Sequence, residues 1–328
     1  MRVKSVAREI IVGHPEALSD CISGPVISGA ERTAGRGAVV KLGPPGGAPL
    51  AILKIATTPQ GKRLLRHETE VLRALHADQR LDGLRELIPQ PLANGLQRGR
   101  SYRLDSALGG RSVAAPSAAV SRTLLGAAVE TITALHNRTA TTVAAGPDLA
   151  ERWVDAPLRE LVRHPSRSRW RTYRLEQLRA ELHGAVGTGT LTVGWIHGDY
   201  WLGNLLFSGD RSVSGIIDWD AASPLELPFH DLLHLLLYTR RLITGHELGE
   251  LVCDQLQGQA WRADERALLR DHWPRRSACC LSERHILLLY WLRHAALHAS
   301  QQGATLGYRY RSWERRNVLP VLAALVKA

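Results

Sequence analysis

His197-Gly198-Asp199-Tyr200-Trp201-Leu202-Gly203-Asn204, followed shortly by Ile216-Ile217-Asp218-Trp219-Asp220, is the stretch on which the reading of this chain turns. It sets a carboxylate, a carboxamide and a second carboxylate at short, fixed intervals. Residues 193–196, 204–207 and 213–218 are apolar enough for short strands, and Ser208-Gly209-Asp210-Arg211 is a turn between the last two. A strand-turn-strand of this kind brings Asn204 and Asp218 to one point, with Asp199 across the loop. Oxygen donors so placed suit a hard cation such as Mg²⁺, which takes one or two protein oxygens together with phosphates and water. Asp199 is then positioned to accept the proton of a hydroxyl. That is the equipment of phosphoryl transfer from a nucleotide, which asks a protein for positioning and charge rather than covalent chemistry.

A phosphate-binding cation is also needed, and the chain upstream supplies one. Residues 38–42 and 50–55 read as a hairpin around Gly43-Pro44-Pro45-Gly46-Gly47. Lys54 lies in the centre of the second, apolar strand, where an unpaired ammonium is costly. Residues 62–75 have helical periodicity through Leu64, Leu65, Glu68, Val71, Leu72 and Leu75. Glu68 shares the inward face and is the natural partner of Lys54, whereas Glu70 falls about 200° around the helix from it. The segment 28–37 reads as flexible and Gly-containing. Pro89 and Pro91 end the helical region, 102–104 form a strand, and Gly109-Gly110 breaks the chain. Helical patterns follow over 120–136, within 153–186 and from 229 onward. The plan is a small β-rich first lobe, residues 1–105, and a larger, mainly helical second lobe, residues 106–328.

Composition narrows the field. The 328 residues are 45% hydrophobic and 22% charged, as expected of a globular chain. The start lacks a secretory pattern, and the most apolar runs, 232–238 and 286–292, are too short for a bilayer. A cytoplasmic protein without a membrane role is expected, its four cysteines reduced. The net charge of +11 attracts polyanions, but the arginines are scattered and no zinc-finger or basic-zipper pattern accompanies them. Nucleic acid is therefore not expected as a partner. His230 and His234, like His294 and His298, lie four apart without a third metal ligand, which points to helix histidines rather than a metal site. The segment from Tyr308 to Arg316 interleaves aromatic rings with arginines. It either stacks on a ligand or packs its rings inward with arginines to solvent.

In order and spacing, these pieces resemble the aminoglycoside phosphotransferase family, small-molecule kinases of the protein-kinase-like fold. The matching motifs are Leu53-Lys54-Ile55, Arg66-His67-Glu68 leading into Val71-Leu72, Leu135-His136, His197-Gly198-Asp199 through Asn204, Ile217-Asp218-Trp219-Asp220, and the helix opening near Pro228-Phe229-His230-Asp231. The resemblance implies an α+β, bilobal kinase-like fold and an Mg²⁺-dependent O-phosphotransferase using ATP or GTP. It implies Asp199 as catalytic base, Asn204 and Asp218 as Mg²⁺ ligands, and Lys54, paired with Glu68, on the nucleotide phosphates. The nucleotide loop would span 28–37, and the adenine-binding hinge about 104–108, including Ser106 and Leu108. His197, Asp220 and Asp231 would support the site, with Asp231 either bracing the catalytic loop or serving as a first-turn helix acid. Trp219 stands where protein kinases carry Phe-Gly, which favours the small-molecule branch. The expected acceptor is a hydroxylated small molecule, an antibiotic that is neutral or weakly charged, because a polycationic aminoglycoside fits a chain of this charge poorly. A sugar or amino-alcohol kinase and a nucleotide-binding pseudokinase are the alternatives.

Overall fold

The computed structural model describes residues 3–14, 26–33, 37–44, 47–113, 118–163, 168–259, 261–272, 281–301 and 308–325. Cys21, Cys279, Cys280 and part of the expected nucleotide loop, 34–36, lie outside them. Packing divides the chain into two compact units, Met1–Ala114 with His197–Ser223, and Ala115–Ile196 with Pro224–Ala328.

The first unit is built on an antiparallel sheet. Helix α1 (Val3–Val12) precedes strands β1 (Val26–Thr33), β2 (Gly37–Gly43) and β3 (Ala51–Ala56). Helix α2 (Pro59–Ala77) follows, then β4 (Pro91–Gln97) and β5 (Arg100–Ser106), and the spatial order is β1-β2-β3-β5-β4. Val6, Ala7 and Ile10 of α1 join Val40, Leu42, Leu53, Ile55 and Leu104 in one core. Side chains alternate across a strand, so a face that buries Leu53 and Ile55 sends Lys54 to the other side, toward α2. Helix α2 starts where the Thr58 hydroxyl accepts the Gly61 N–H at 3.0 Å and Pro59 takes the first turn. It buries Leu65, Val71, Leu72 and Leu75, and with them Glu68.

The unit is completed by β6 (Arg111–Ser112), β9 (Leu205–Phe207) and β10 (Val213–Ile216), in the order β10-β9-β6. A 3₁₀ turn over Leu202–Asn204 leads into β9, and another over Trp219–Ala221 follows β10. His67 on α2 bonds through Nε2 to the carbonyl of Ala222 at 3.1 Å, tying that helix to the second turn.

The second unit contains α3 (Ala118–Thr139), β7 (Thr141–Ala144), α4 (Pro147–Ala150), a π-helical turn (Glu151–Asp155), α5 (Ala156–Val162), α6 (Arg169–Val186) and β8 (Thr190–Ile196). β11 (Ser223–Glu226) then completes a small sheet of order β11-β8-β7. Helices α7 (Phe229–Thr244), α8 (Leu248–Leu256), α9 (Ala263–His272), α10 (Glu283–Gln301), α11 (Tyr308–Asn317) and α12 (Leu319–Ala324) follow. Leu178, Leu182, Leu233, Leu237, Leu288 and Trp291 are among the fully buried members of their core. Among the described residues no helix is long and apolar enough to cross a membrane.

Gly249 of α8 marks a close approach of two helices. A Cβ there would lie 2.3 Å from the Asn317 Cα and 2.3 Å from its carbonyl oxygen. That carbonyl accepts the Trp291 indole N–H at 2.7 Å, and the Asn317 side chain accepts the Gly249 N–H at 3.2 Å. Gly249→Ala must push α8 away from both, and is expected to destabilise the protein by about 1–3 kcal/mol, read as a lowered unfolding midpoint. An unchanged midpoint would show that the helix shifts without cost.

Two local expectations are corrected. The stretch expected to be flexible before 37 is largely strand β1, paired with β2 from Val26↔Gly43 to Thr33↔Gly37. The helical stretch ends before Pro89 and Pro91 as expected, its last piece the 3₁₀ turn Arg85–Leu87, and Pro91 opens β4. Both β1 and β4 are edge strands, where half of the backbone needs no partner and a proline at the start loses no ladder bond. The strand expected to reach Asp218 stops at Ile216. The Tyr308–Asn317 helix buries Tyr310 and stacks Trp313 on His298 at 4.3 Å, leaving Arg311, Arg315 and Arg316 exposed.

Candidate active site

Lys54, Glu68 and Asp218 meet within the first unit. The Lys54 Nζ donates to Glu68 Oε1 and to Asp218 Oδ1, each at 2.7 Å. Burial opposes the Lys54 charge, but the Glu68 and Asp218 carboxylates outweigh it and hold its pKa above the ordinary lysine value. Burial alone would raise Glu68; Lys54 and Arg103 reverse that and keep it below the usual carboxylate range. The Lys54 ammonium likewise holds Asp218 low. The Asp218 side chain is 52% exposed, so this carboxylate can meet a ligand from solvent, whereas that of Glu68 is 5% exposed and cannot.

The second half of the site is assembled by the backbone. Gly198 takes φ 81°, a left-handed value that a Cβ would disfavour, and this turns the chain after His197. His197 is fully buried, and its Nε2 donates to the Ile217 carbonyl at 2.9 Å. With the proton on Nε2, Nδ1 is the acceptor facing the Asp199 N–H at 3.4 Å. The ring packs edge-on against Trp219 with centroids 4.7 Å apart. Asn204 is buried and directs its Nδ2 to both the carbonyl of Asp199, at 2.9 Å, and its carboxylate, at 3.0 Å. The Asn204 carbonyl accepts the Ile217 N–H at 2.9 Å. Ile217 is thus clipped from both sides, and the next residue, Asp218, is held at φ 62°, ψ 62°. A non-glycine residue there costs roughly 1 kcal/mol, and Asp is among those that tolerate it best. The constellation can hold a polyanion by Lys54, offer Asn204 Oδ1 and the Asp218 carboxylate to a hard cation, and present the Asp199 carboxylate to a proton donor.

The phosphotransferase enzyme family matches residues 38–278, a span that runs from β2 through the whole of this constellation. The chain belongs to that family. It is a phosphotransferase with a hydroxyl acceptor. Among solved structures, the chain resembles an aminoglycoside 3'-phosphotransferase of type VIII at 18% identity, with 86% of this chain and 99% of that one covered and a TM-score of 0.51. A thermostable mutant of the aminoglycoside phosphotransferase APH(4)-Ia gives 12%, 95%, 99% and 0.57, and a type I macrolide 2'-phosphotransferase 14%, 100%, 97% and 0.52. These likenesses bear out the kinase-like α+β fold. A sequence comparison with curated proteins gave no match.

Other residues singled out in this phosphotransferase are placed as follows. The Ser106 hydroxyl accepts the Gln90 N–H at 2.9 Å, while the Ser106 and Ala107 N–H groups donate to Gln90 and Leu50 carbonyls. Leu108 lies over Gly215, where a Cβ would come within 2.8 Å of its side chain. Asp220 is half-buried in the 3₁₀ turn after Asp218. Asp231 belongs to the second unit, in the first turn of α7, where its fully buried carboxylate meets His136 Nε2 at 3.0 Å. His230 is buried and His294 half-buried, and burial pushes both below the ordinary imidazole value, His230 down to about 3. Among the described residues, no group of three or more His, Cys, Asp or Glu side chains is placed to hold a metal ion.

Two residues of the site were not anticipated. Arg103 and Asp105 are buried on β5, the guanidinium bonding Asp105 through Nε at 2.6 Å and Nη2 at 2.8 Å, and Glu68 Oε2 at 3.0 Å. Burial raises the Asp105 pKa despite Arg103 beside it. Their only signal in the sequence was two opposite charges at i and i+2 flanking Leu104 in a largely polar strand.

Proposed function

We propose that this chain moves the γ-phosphoryl group of ATP or GTP to a hydroxyl of a small molecule, with Mg²⁺ as cofactor, and that it acts in the cytoplasm on an antibiotic of neutral or weakly charged character. The observation that carries the reading is the pair of bonds from Asn204 to Asp199, joined through the Asn204 carbonyl to the residue before Asp218. One short loop therefore fixes a base and two hard oxygen donors relative to each other.

Lys54 would bind the α- and β-phosphates with the N–H that Glu68 and Asp218 leave unused. Asp199 would accept the proton of the acceptor hydroxyl at its carboxylate, oriented by Asn204. Both amide hydrogens of Asn204 face Asp199, so Oδ1 is its metal-facing atom, and Asp218 adds an exposed carboxylate. Two protein oxygens without a larger cluster are the donor set that suits Mg²⁺ on a nucleotide. The bound ion would neutralise charge on the transferring phosphate. His197 would hold the loop, Asp220 and Asp231 would support it, and Ser106 and Leu108 would border the adenine. We place nucleotide binding in residues 1–105 and acceptor binding in the helical segments of 106–328.

The range of similar proteins supports an antibiotic acceptor, and the chain's charge supports a neutral or weakly charged one. Solved structures of this fold include one in complex with ADP and streptomycin and one with ADP and hygromycin B, besides the macrolide enzyme. A net charge of +11 disfavours the more cationic acceptors. The test is nucleotide consumption with ATP and with GTP against a panel of macrolide, nucleoside, peptide and aminoglycoside antibiotics, sugars and amino alcohols. Turnover with a neutral or weakly charged antibiotic is expected. Turnover confined to polycations, or to sugars and amino alcohols, overturns the substrate class, and nucleotide binding without turnover of any acceptor favours a pseudokinase.

A further inference from the structure

Lys54 and Arg103 are direct partners across the antiparallel pair β3–β5. Two cations opposite each other on one face of a sheet repel. Glu68 lies between them and divides its carboxylate, Oε1 to Lys54 at 2.7 Å and Oε2 to Arg103 at 3.0 Å. Arg103 is itself immobilised. It is fully buried, its Nε and Nη2 are taken by Asp105, and its Nη1 donates to Thr69 Oγ1 at 3.3 Å and the Leu65 carbonyl at 3.4 Å, both on α2. A planar guanidinium reaches two carboxylates at once, which an ammonium cannot do with the same geometry.

We propose that Arg103 is a positioning residue of the phosphate-binding site: by holding Oε2 of Glu68 it presents Oε1 to Lys54, so that the lysine is shared between Glu68 and Asp218 rather than resting on Asp218 alone. This rests on the nucleotide reading given above. Lys54 has two carboxylates within 2.7 Å, and the site needs them for different purposes. Glu68 anchors the lysine, whereas Asp218 must be shared with the metal. With Arg103 in place, two cations face Glu68, Asp105 and Asp218. Without it, one cation faces all three, the Glu68 carboxylate is free to turn, and Lys54 competes for Asp218.

Arg103→Lys tests this because it retains a cation beside buried Asp105 and so protects the fold, while losing the fork that spans Asp105 and Glu68. Titration of ADP with Mg²⁺ into wild type, Arg103→Lys, Glu68→Gln and the double variant is read together with their melting midpoints. Arg103→Lys is expected to weaken ADP binding about tenfold, and the double variant to bind no more weakly than Glu68→Gln alone, since one substitution acts through the other. A purely structural Arg103 would lower the midpoint but leave the affinity of the folded protein unchanged. If Arg103→Lys does not fold, Arg103→Met with Asp105→Leu, which removes both ends of the buried pair, is judged by the same criterion. Wild-type affinity in the folded variant, or losses that multiply in the double variant, overturns the role of Arg103. Failure of wild type to bind either ADP or GDP overturns the nucleotide reading instead; if only GDP binds, the same comparison is made with GDP.

Discussion

Asp199→Asn is expected to lower kcat by about 10³-fold while leaving ADP affinity essentially at the wild-type level, because removal of a positioned general base costs roughly 10²–10⁴-fold. The substitution keeps the shape of the side chain and an oxygen that Asn204 Nδ2 can bond. It leaves intact the backbone bonds that set the loop, from His197 to the Ile217 carbonyl and from the Ile217 N–H to the Asn204 carbonyl. It removes the negative charge and with it the ability to take a proton. Lys54, Glu68 and Asp218, which would hold the nucleotide, are untouched, so kcat and nucleotide binding should separate. Steady-state turnover beside ADP titration checks this, and turnover within tenfold of wild type would sink the assignment of Asp199 as base.

Much of this site was legible because each part obeys a local rule. Lys54 stood out as a charge inside an apolar strand, and Glu68 as the acid on the inward helical face; the structure joins them at 2.7 Å. Asp199, Asn204 and Asp218 were readable from spacing across a short hairpin. Arg103 and Asp105 were not, because alternating charges in a strand look the same whether they face solvent or a helix, and only the packing of α2 buries them. β1 and β4 escaped for a related reason. Edge strands draw their bonds from one neighbour and carry little apolar pattern of their own, so Gly29 and Pro91 read as breakers. The left-handed backbone of Asp218 was equally invisible, since nothing in Ile217-Asp218-Trp219 announces it. It follows from the two bonds that clip Ile217.

That left-handed conformation makes Asp218→Asn the cleaner test of the metal role. Asn adopts such backbone as readily as Asp, whereas Ala would add strain to the loss of charge. The Asn variant therefore isolates the carboxylate. What it gives up in folding is small: the ion pair with Lys54 is half exposed on the Asp218 side, and pairs of that kind contribute about 0–1 kcal/mol. Lys54 also retains Glu68, so no buried cation is left without a partner. What it gives up in function is large, because a neutral amide is a far poorer ligand for a hard divalent cation than a carboxylate. Turnover should fall by about 10²-fold or more at a fixed Mg²⁺ concentration, with partial recovery as Mg²⁺ is raised and an unfolding midpoint close to that of wild type. Loss of the midpoint together with activity would mean that Asp218 acts through the fold. Turnover with unchanged Mg²⁺ dependence would mean that the ion is held by other groups. The contrast with Asp199→Asn is the decisive feature, since added Mg²⁺ should relieve the defect at Asp218 and leave the defect at Asp199 as it was.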